Sequence, residues 1–253
     1  MTFALRKWYL DCVAEDGALA IVYCAELRWR SLALRYASLL QFDDARGATV
    51  RSTLRGCPEP RADGRKLFLD APALDLSGRW EALDPPASTT LLAGVQWDCV
   101  QPRSQVELNL PQGVLRGLGY AEMLTLRVAP WSLPIDELRW GRFAAKEHGA
   151  VWIEWRGPHP VRVVLIDGAA SDGKITERAI SVPGAPLRIE PGRVLRSGRI
   201  GETALSIIPD LASIFPGRIV GLEETKWRSA ATMELQQARH DGFAIHEVVR
   251  WPK

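Results

Sequence analysis

The apolar positions of this chain recur at every second residue more often than at every third or fourth. From Leu118 the alternate residues are Leu118, Tyr120, Glu122, Leu124, Leu126 and Val128. The intervening ones are Gly117, Gly119, Ala121, Met123, Thr125 and Arg127. Successive strand side chains point to opposite faces, so one carboxylate, Glu122, shares its face with a row of leucines. "KWYLDCV" (7–13) and "ALAIVYCAELRW" (18–29) flank Asp16-Gly17 and predict a hairpin, followed by "LALRYASLLQF" (32–42). Further strands are expected over 66–70, 90–100, 104–109, 114–128, 137–143, 150–156, 161–166, 175–182, 218–228 and 243–251. Asp-Gly at 16–17, 63–64, 167–168, 172–173 and 241–242, with Pro-Gly at 191–192 and 216–217, supply the turn signals. No twelve-residue window keeps a capped helical stripe; the best short exception is "IIPDLASIF", 207–215.

Many short strands between turn signals predict an all-β sandwich or barrel. "APWSLPID" (129–136) holds two prolines that end a strand and suit a rigid crossover. Glu-Leu-Arg-Trp occurs at 26–29 and again at 137–140, which hints at a duplicated unit. Two similar β-barrels, over 1–128 and 129–253, are therefore expected, with one large barrel or sandwich as the alternative.

Composition narrows the classes of function. Hydrophobic residues make up 47% and charged residues 25%, ordinary for a soluble globular protein. The net charge of +2 comes from scattered arginines among acids, so no nucleic-acid footprint is expected. No run approaches the roughly 18 to 20 apolar residues of a transmembrane helix, and "MTFALRKWYLD" lacks a signal-peptide core. Cys12, Cys24, Cys57 and Cys99 are isolated. They read as reduced, mostly buried thiols of a cytoplasmic protein, with no metal site. There is no GxSxG, no Walker loop and no GxGxxG, so serine-elbow hydrolysis and nucleotide binding have no support and no cofactor is expected.

Glu122 is the leading candidate for chemistry, as an interior carboxylate suited to proton transfer. The competing reading is a buried glutamate paired with an arginine. Tyr120, one alternation step away, would orient a ligand or simply pack. In "FAIHEVVRW" the row Phe243, Ile245, Glu247, Val249, Trp251 again carries one acid. Glu122 and Glu247 would supply an acid and a base if they converged, and His246 would then face the surface. "ELRWGRF" and "VWIEWRG" interleave tryptophan with charge. Trp140, Trp152 and Trp97 would wall an aromatic pocket, with Arg139 or Arg142 meeting an anionic head group. Core packing with arginine on indole faces is the plainer reading. Asp98 and Asn109 are further polar candidates at strand positions.

The stretch "LNLPQGVLRGLGYAEMLTLRVAPWSLPIDELRWGRF", then "VWIEWRG" and the closing "GFAIHEVVRWP", resembles a lipocalin-like (calycin-type) group. That group includes carotenoid hydratase, the AttH-like proteins and, more distantly, tocopherol cyclase and certain fungal Diels–Alderases. The resemblance implies two packed lipocalin-like antiparallel β-barrels holding a hydrophobic ligand. Hydratase-like members carry Gly-Tyr-x-Asp-His followed by Trp-Gly. Here Gly119, Tyr120, Ala121 and Glu122 are followed by Met123, and Trp140-Gly141 comes later. A glutamate stands for the aspartate, and the histidine has no counterpart. The expected function is to bind a hydrophobic, unsaturated small molecule and promote its cyclisation, isomerisation or hydration without a cofactor. A non-catalytic carrier or sensor of an apolar ligand is the alternative. In a third reading the barrels are filled by side chains and serve only protein contacts.

Overall fold

The computed structural model describes residues 3–56, 59–203, 205–207 and 215–252. The chain divides into two compact units, residues 1–130 and 131–253. The first holds β1 (Phe3–Val13), β2 (Leu19–Trp29), β3 (Leu32–Asp43), β4 (Gly47–Thr53), β5 (Arg61–Asp63), β6 (Lys66–Ala71), β7 (Leu76–Ala82), β8 (Ala87–Leu92), β9 (Val95–Leu110) and β10 (Gly113–Leu126). The second holds β11 (Glu137–Ala144), β12 (Gly149–Arg156), β13 (Val161–Ile166), β14 (Ala169–Ala170), β15 (Lys174–Ile175), β16 (Ala179–Ser181), β17 (Leu187–Ile189), β18 (Arg193–Arg199), β19 (Glu223–Leu235) and β20 (Ala238–Arg250).

Each unit is one antiparallel sheet, and the two are wired alike. The first runs β4-β3-β2-β1-β10-β9-β7-β6-β5 with β8 on β9; the second runs β14-β13-β12-β11-β20-β19-β17-β16-β15 with β18 on β19. Every strand of the second unit thus takes the place of the strand ten earlier. The expected duplication lies in this wiring and not in the repeated tetrapeptide. Residues 26–29 end β2, whereas 137–140 open β11, the counterpart of β1.

In the first unit the sheet curls around Trp8, Leu10, Cys12, Ala20, Val22, Leu39, Leu69, Trp80, Val106, Leu108 and Ala121. The Trp80 indole donates to the Asp11 carbonyl at 2.9 Å. Its strand, β7, is three places from β1 in the sheet order, so the bond crosses the interior. Arg51 of β4, one end of the order, donates to the Leu74 carbonyl at 2.6 Å in the turn between β6 and β7. In the second unit Phe143, Trp152, Val164, Leu187, Ala231, Met233 and Ala244 fill the same place. Burying each large apolar side chain contributes about 1.5–3 kcal/mol.

The hairpin at Asp16-Gly17 forms as expected, with Gly17 at φ 83° and the Asp16 side chain accepting from Ala18 N at 2.9 Å. Asp241-Gly242 does not turn: it lies inside β20, and the β19–β20 turn falls at Gln236 and Gln237, both at positive φ. Gly242 is needed for another reason. A side chain there would strike the Ala144 carbonyl, just as one at Gly117 would strike that of Val13. The segments expected over 90–100 and 104–109 prove to be the end of β8 and one long β9, and 175–182 breaks into β15 and β16. The expected strand 218–228 begins as a helical turn, Gly217–Val220, before β19. Most of "IIPDLASIF" lies outside the described residues.

One further expectation is corrected. Cys12 and Cys99 are buried free thiols, but Cys24 is disulfide-bonded, so the cysteines are not all reduced; Cys57 lies outside the described residues. Disulfides persist in oxidising surroundings, which removes the cysteine argument for a cytoplasmic protein. No helix among the described residues is long and apolar enough to cross a membrane.

Candidate functional site

Glu122 sits in mid-β10 with Tyr9 of β1 opposite on one side and Cys99 of β9 on the other. Between Gly119 and Glu122 the β9–β10 register slips twice. Such bulges re-aim side chains and are frequent beside functional sites. Here two donors converge on Glu122 Oε2: the Trp97 indole Nε1 at 2.5 Å and the Tyr120 hydroxyl at 2.7 Å. All three residues are buried, Glu122 at 6% exposure. Burial pushes the Tyr120 hydroxyl well above its ordinary pKa, and neighbouring Cys99 and Glu122 push the same way. Tyr120 therefore stays protonated and keeps donating. Burial likewise raises the Cys99 thiol, which makes it a poor nucleophile.

β1 repeats the device. The Tyr9 hydroxyl donates to Asp11 Oδ2 at 3.0 Å, and Asp11 is fully buried. Tyr9 stands opposite Glu122 and Asp11 opposite Tyr120, so two tyrosine–carboxylate pairs lie head to tail on adjacent strands. Their rings meet edge-on at 5.9 Å, and Tyr23 adds a further edge contact to Tyr9 at 5.2 Å. Sequence reasoning singled out Tyr120-x-Glu122 and passed over Tyr9-x-Asp11. The shared tyrosine-x-acid spacing was the available signal. A buried bidentate pair, Arg103 on Asp84 at 3.1 and 2.7 Å, was also missed.

The face that carries these groups differs from the expected one. Ala121 and Met123 pack into the curled core; Tyr120 and Glu122, one residue out of phase, point to the opposite face of the sheet. Tyr9, Asp11, Ile21, Leu40, Trp97 and Cys99 are nonetheless buried there. A sheet buried on both faces gives no hydropathic cue to which side is interior.

Glu247 occupies the equivalent position of the second unit. Gly117 and Gly242 meet matching carbonyls, and five residues beyond each comes a glutamate. The register agrees, because Glu247 faces Trp140 of β11 and Lys226 of β19. Its surroundings do not. The Lys226 ammonium bonds directly to Glu247 Oε2 and lies 5.0 Å from the centre of the Trp140 ring. His246, expected at the surface, turns towards the core side instead. It stacks on Trp227 at 5.2 Å, its Nε2 lies 3.0 Å from Ser229 Oγ, and burial lowers its pKa to about 4, with the Lys226 charge acting the same way.

The remaining candidates are dispersed. Arg142 is fully buried and donates to the Phe243 carbonyl at 3.3 Å. Arg139 is bonded to Glu137 at 2.7 Å. Trp152 packs over Gly141 in the second core. Asp98 accepts from Ser88 at 2.6 Å, and exposed Asn109 donates to Ser77 at 3.1 Å, far along β9 from Glu122. Clefts of about 380 Å³ near Phe42 and Leu115 and about 740 Å³ near Arg162 and Pro186 are not lined by Glu122. Within the first unit the structure thus brings Glu122, Tyr120 and Trp97 together, whereas Asp98 and Asn109 bond elsewhere.

No family model matches the sequence, and no curated protein matches it significantly. Solved structures do. CghA in complex with Sch210972 superposes with a TM-score of 0.62 at 12% identity, covering 98% of this chain and 88% of that one. Kievitone hydratase from Nectria haematococca gives 0.58 at 9%, covering 97% and 88%. A putative AttH from Nitrosomonas europaea gives 0.55 at 11%, covering 97% and 92%. The chain has the lipocalin-like AttH/hydratase fold. In this chain the two units carry one equivalent glutamate each; that of the first accepts from a phenol and an indole, and that of the second from the Lys226 ammonium.

Proposed function

We propose that the protein binds a hydrophobic, unsaturated small molecule and promotes its cyclisation, isomerisation or hydration without a cofactor, with Glu122 handling the proton. The observation that carries this reading is the convergence of Tyr120 and Trp97 on one buried carboxylate oxygen. Two neutral donors fix the direction of that oxygen. A carboxylate so fixed, away from bulk water, is suited to take a proton from a bound carbon skeleton or return one. Tyr120 would relay or orient, Trp97 would position, and the rest of the barrier would come from holding a flexible ligand in a reactive shape. Two neighbours of this fold support small-molecule chemistry of this kind: one is named a hydratase, and the other is held in complex with Sch210972.

The test begins with organic extraction of the native protein and mass spectrometry of what copurifies. Incubated with that compound, Glu122→Gln is expected to bind as the parent does and to lose turnover by about a hundredfold or more, the usual contribution of a general acid or base. A carrier is the second reading, favoured because Glu122 Oε2 is already held by its own unit. It predicts that the compound is recovered unchanged from both proteins.

A further inference from the structure

The edge of the second unit where the β11–β12 turn, the β13–β14 turn and the start of β20 meet holds two of the chain's four histidines. The rings of His148 and His240 lie 4.4 Å apart, edge to face at 78°. Each presents its Nδ1 to a carboxylate: His148 to Asp167 Oδ2 at 2.7 Å and His240 to Glu147 Oε2 at 3.6 Å. Asp167 is itself fixed, since its other oxygen accepts from Gly149 N at 2.8 Å. A carboxylate beside Nδ1 favours the tautomer with its proton there and the lone pair on Nε2, the tautomer through which imidazole binds metals. The side chains are 21% and 14% exposed, ordered by packing yet open to solvent.

We propose that His148 and His240 bind one divalent metal ion of the imidazole-preferring class, zinc, nickel or copper, through their Nε2 atoms. Among the described residues no three or more His, Cys, Asp and Glu side chains are grouped to hold an ion, so the site has two protein ligands and water completes the coordination. Nitrogen–zinc distances of about 2.0–2.1 Å require the rings to tilt from edge-to-face until both Nε2 atoms face one point. The ion would tie two turns to β20. Nothing in this inference depends on Glu122.

Protein free of any affinity tag should be titrated with zinc chloride by calorimetry and with copper(II) by electron paramagnetic resonance. Saturable one-to-one zinc binding is expected, with a raised Tm. His148→Ala and His240→Ala should each weaken it by about tenfold or more. Asp167→Asn should weaken it about ten- to a hundredfold, the usual effect of removing the carboxylate behind a metal-bound imidazole. The copper spectrum should show two coupled nitrogens, a readout that needs no variant to fold. Absence of saturable binding, a copper spectrum with one nitrogen or none, or a His148→Ala/His240→Ala protein that binds zinc like the parent would overturn the proposal.

Discussion

Glu122 and Glu247 hold the same place in two identically wired sheets, and the groups bonded to them differ in kind. Where the first unit has Cys99, Tyr120 and Trp97, the second has Lys226, Ile245 and Glu224. The ammonium of Lys226, 1% exposed, neutralises Glu247 directly, while Glu224 turns to Arg196 at 2.6 Å. Around Glu122 the named donors are a phenol and an indole. An ion pair of this kind stabilises the fold only if both partners stay, and it takes the carboxylate out of proton transfer. Hydrogen bonds from neutral groups orient a carboxylate and leave its charge in place. The duplicated backbone keeps the acid in both units, while the side chains bonded to it differ.

The comparison can be broken most forcefully at Lys226. Lys226→Met leaves Glu247 without its ammonium, and the loss in urea denaturation should be about 3–5 kcal/mol. Lys226→Met with Glu247→Leu should recover most of it, because replacing both members of a buried pair by apolar groups is often close to neutral.

His246 comes next. It takes the place of Ala121 in the first unit, so His246→Ala makes the two sheets alike there. Its pKa is lowered to about 4 by burial, against roughly 6.5 in an unfolded chain. The unfolded state therefore binds the proton first as pH falls, and stability is lost between about pH 6.5 and 4. The full loss below that window is about 3 kcal/mol at most. In acid denaturation His246→Ala should remove that slope and leave the carboxylate-driven part. An unchanged slope would mean His246 is not held neutral by the fold.

Smaller effects sharpen the first unit's side. Trp97→Phe and Tyr120→Phe each remove a buried hydrogen bond to Glu122 and should cost about 1–3 kcal/mol by thermal or urea unfolding. Exposed pairs provide the control. Arg239→Ala removes a contact to Asp241 at 2.9 Å in which both side chains are more than 60% exposed, and should shift stability by about 0–1 kcal/mol.

Much of this was legible in the sequence, and the failures have physical causes. β1, β2, β3 and β10 were located because they are long runs rich in apolar and aromatic residues set between Asp-Gly and Gly-rich breaks. β4 and β7 escaped because short strands rich in Gly, Thr, Ser and Arg carry little hydropathic signal. Asp241-Gly242 misled because a glycine can be required by a neighbouring carbonyl as well as by a turn. The two glutamates stood out as lone acids in apolar rows, and both are indeed on buried faces. Of their partners, Tyr120 and Trp97 stood among the candidates; Lys226, which faces Glu247 across a strand pair, did not, because register is not written in local sequence. His246 was assigned outward because the row holding Phe243 and Ile245 looked like the core row. Ala244 is the residue that joins Phe143, Trp152 and Met233 in the core, and His246, on the same face, stacks on Trp227.

The central claim is that Glu122 acts on a bound ligand and Glu247 does not. Its most direct measurement compares turnover of the copurified compound by the parent, by Glu122→Gln and by Lys226→Met/Glu247→Leu, each corrected for folded fraction. A loss of about a hundredfold or more confined to Glu122→Gln, with the double variant within a few-fold of the parent, is the predicted outcome. Equal turnover by Glu122→Gln and the parent, or an equally deep loss in the double variant, would contradict it.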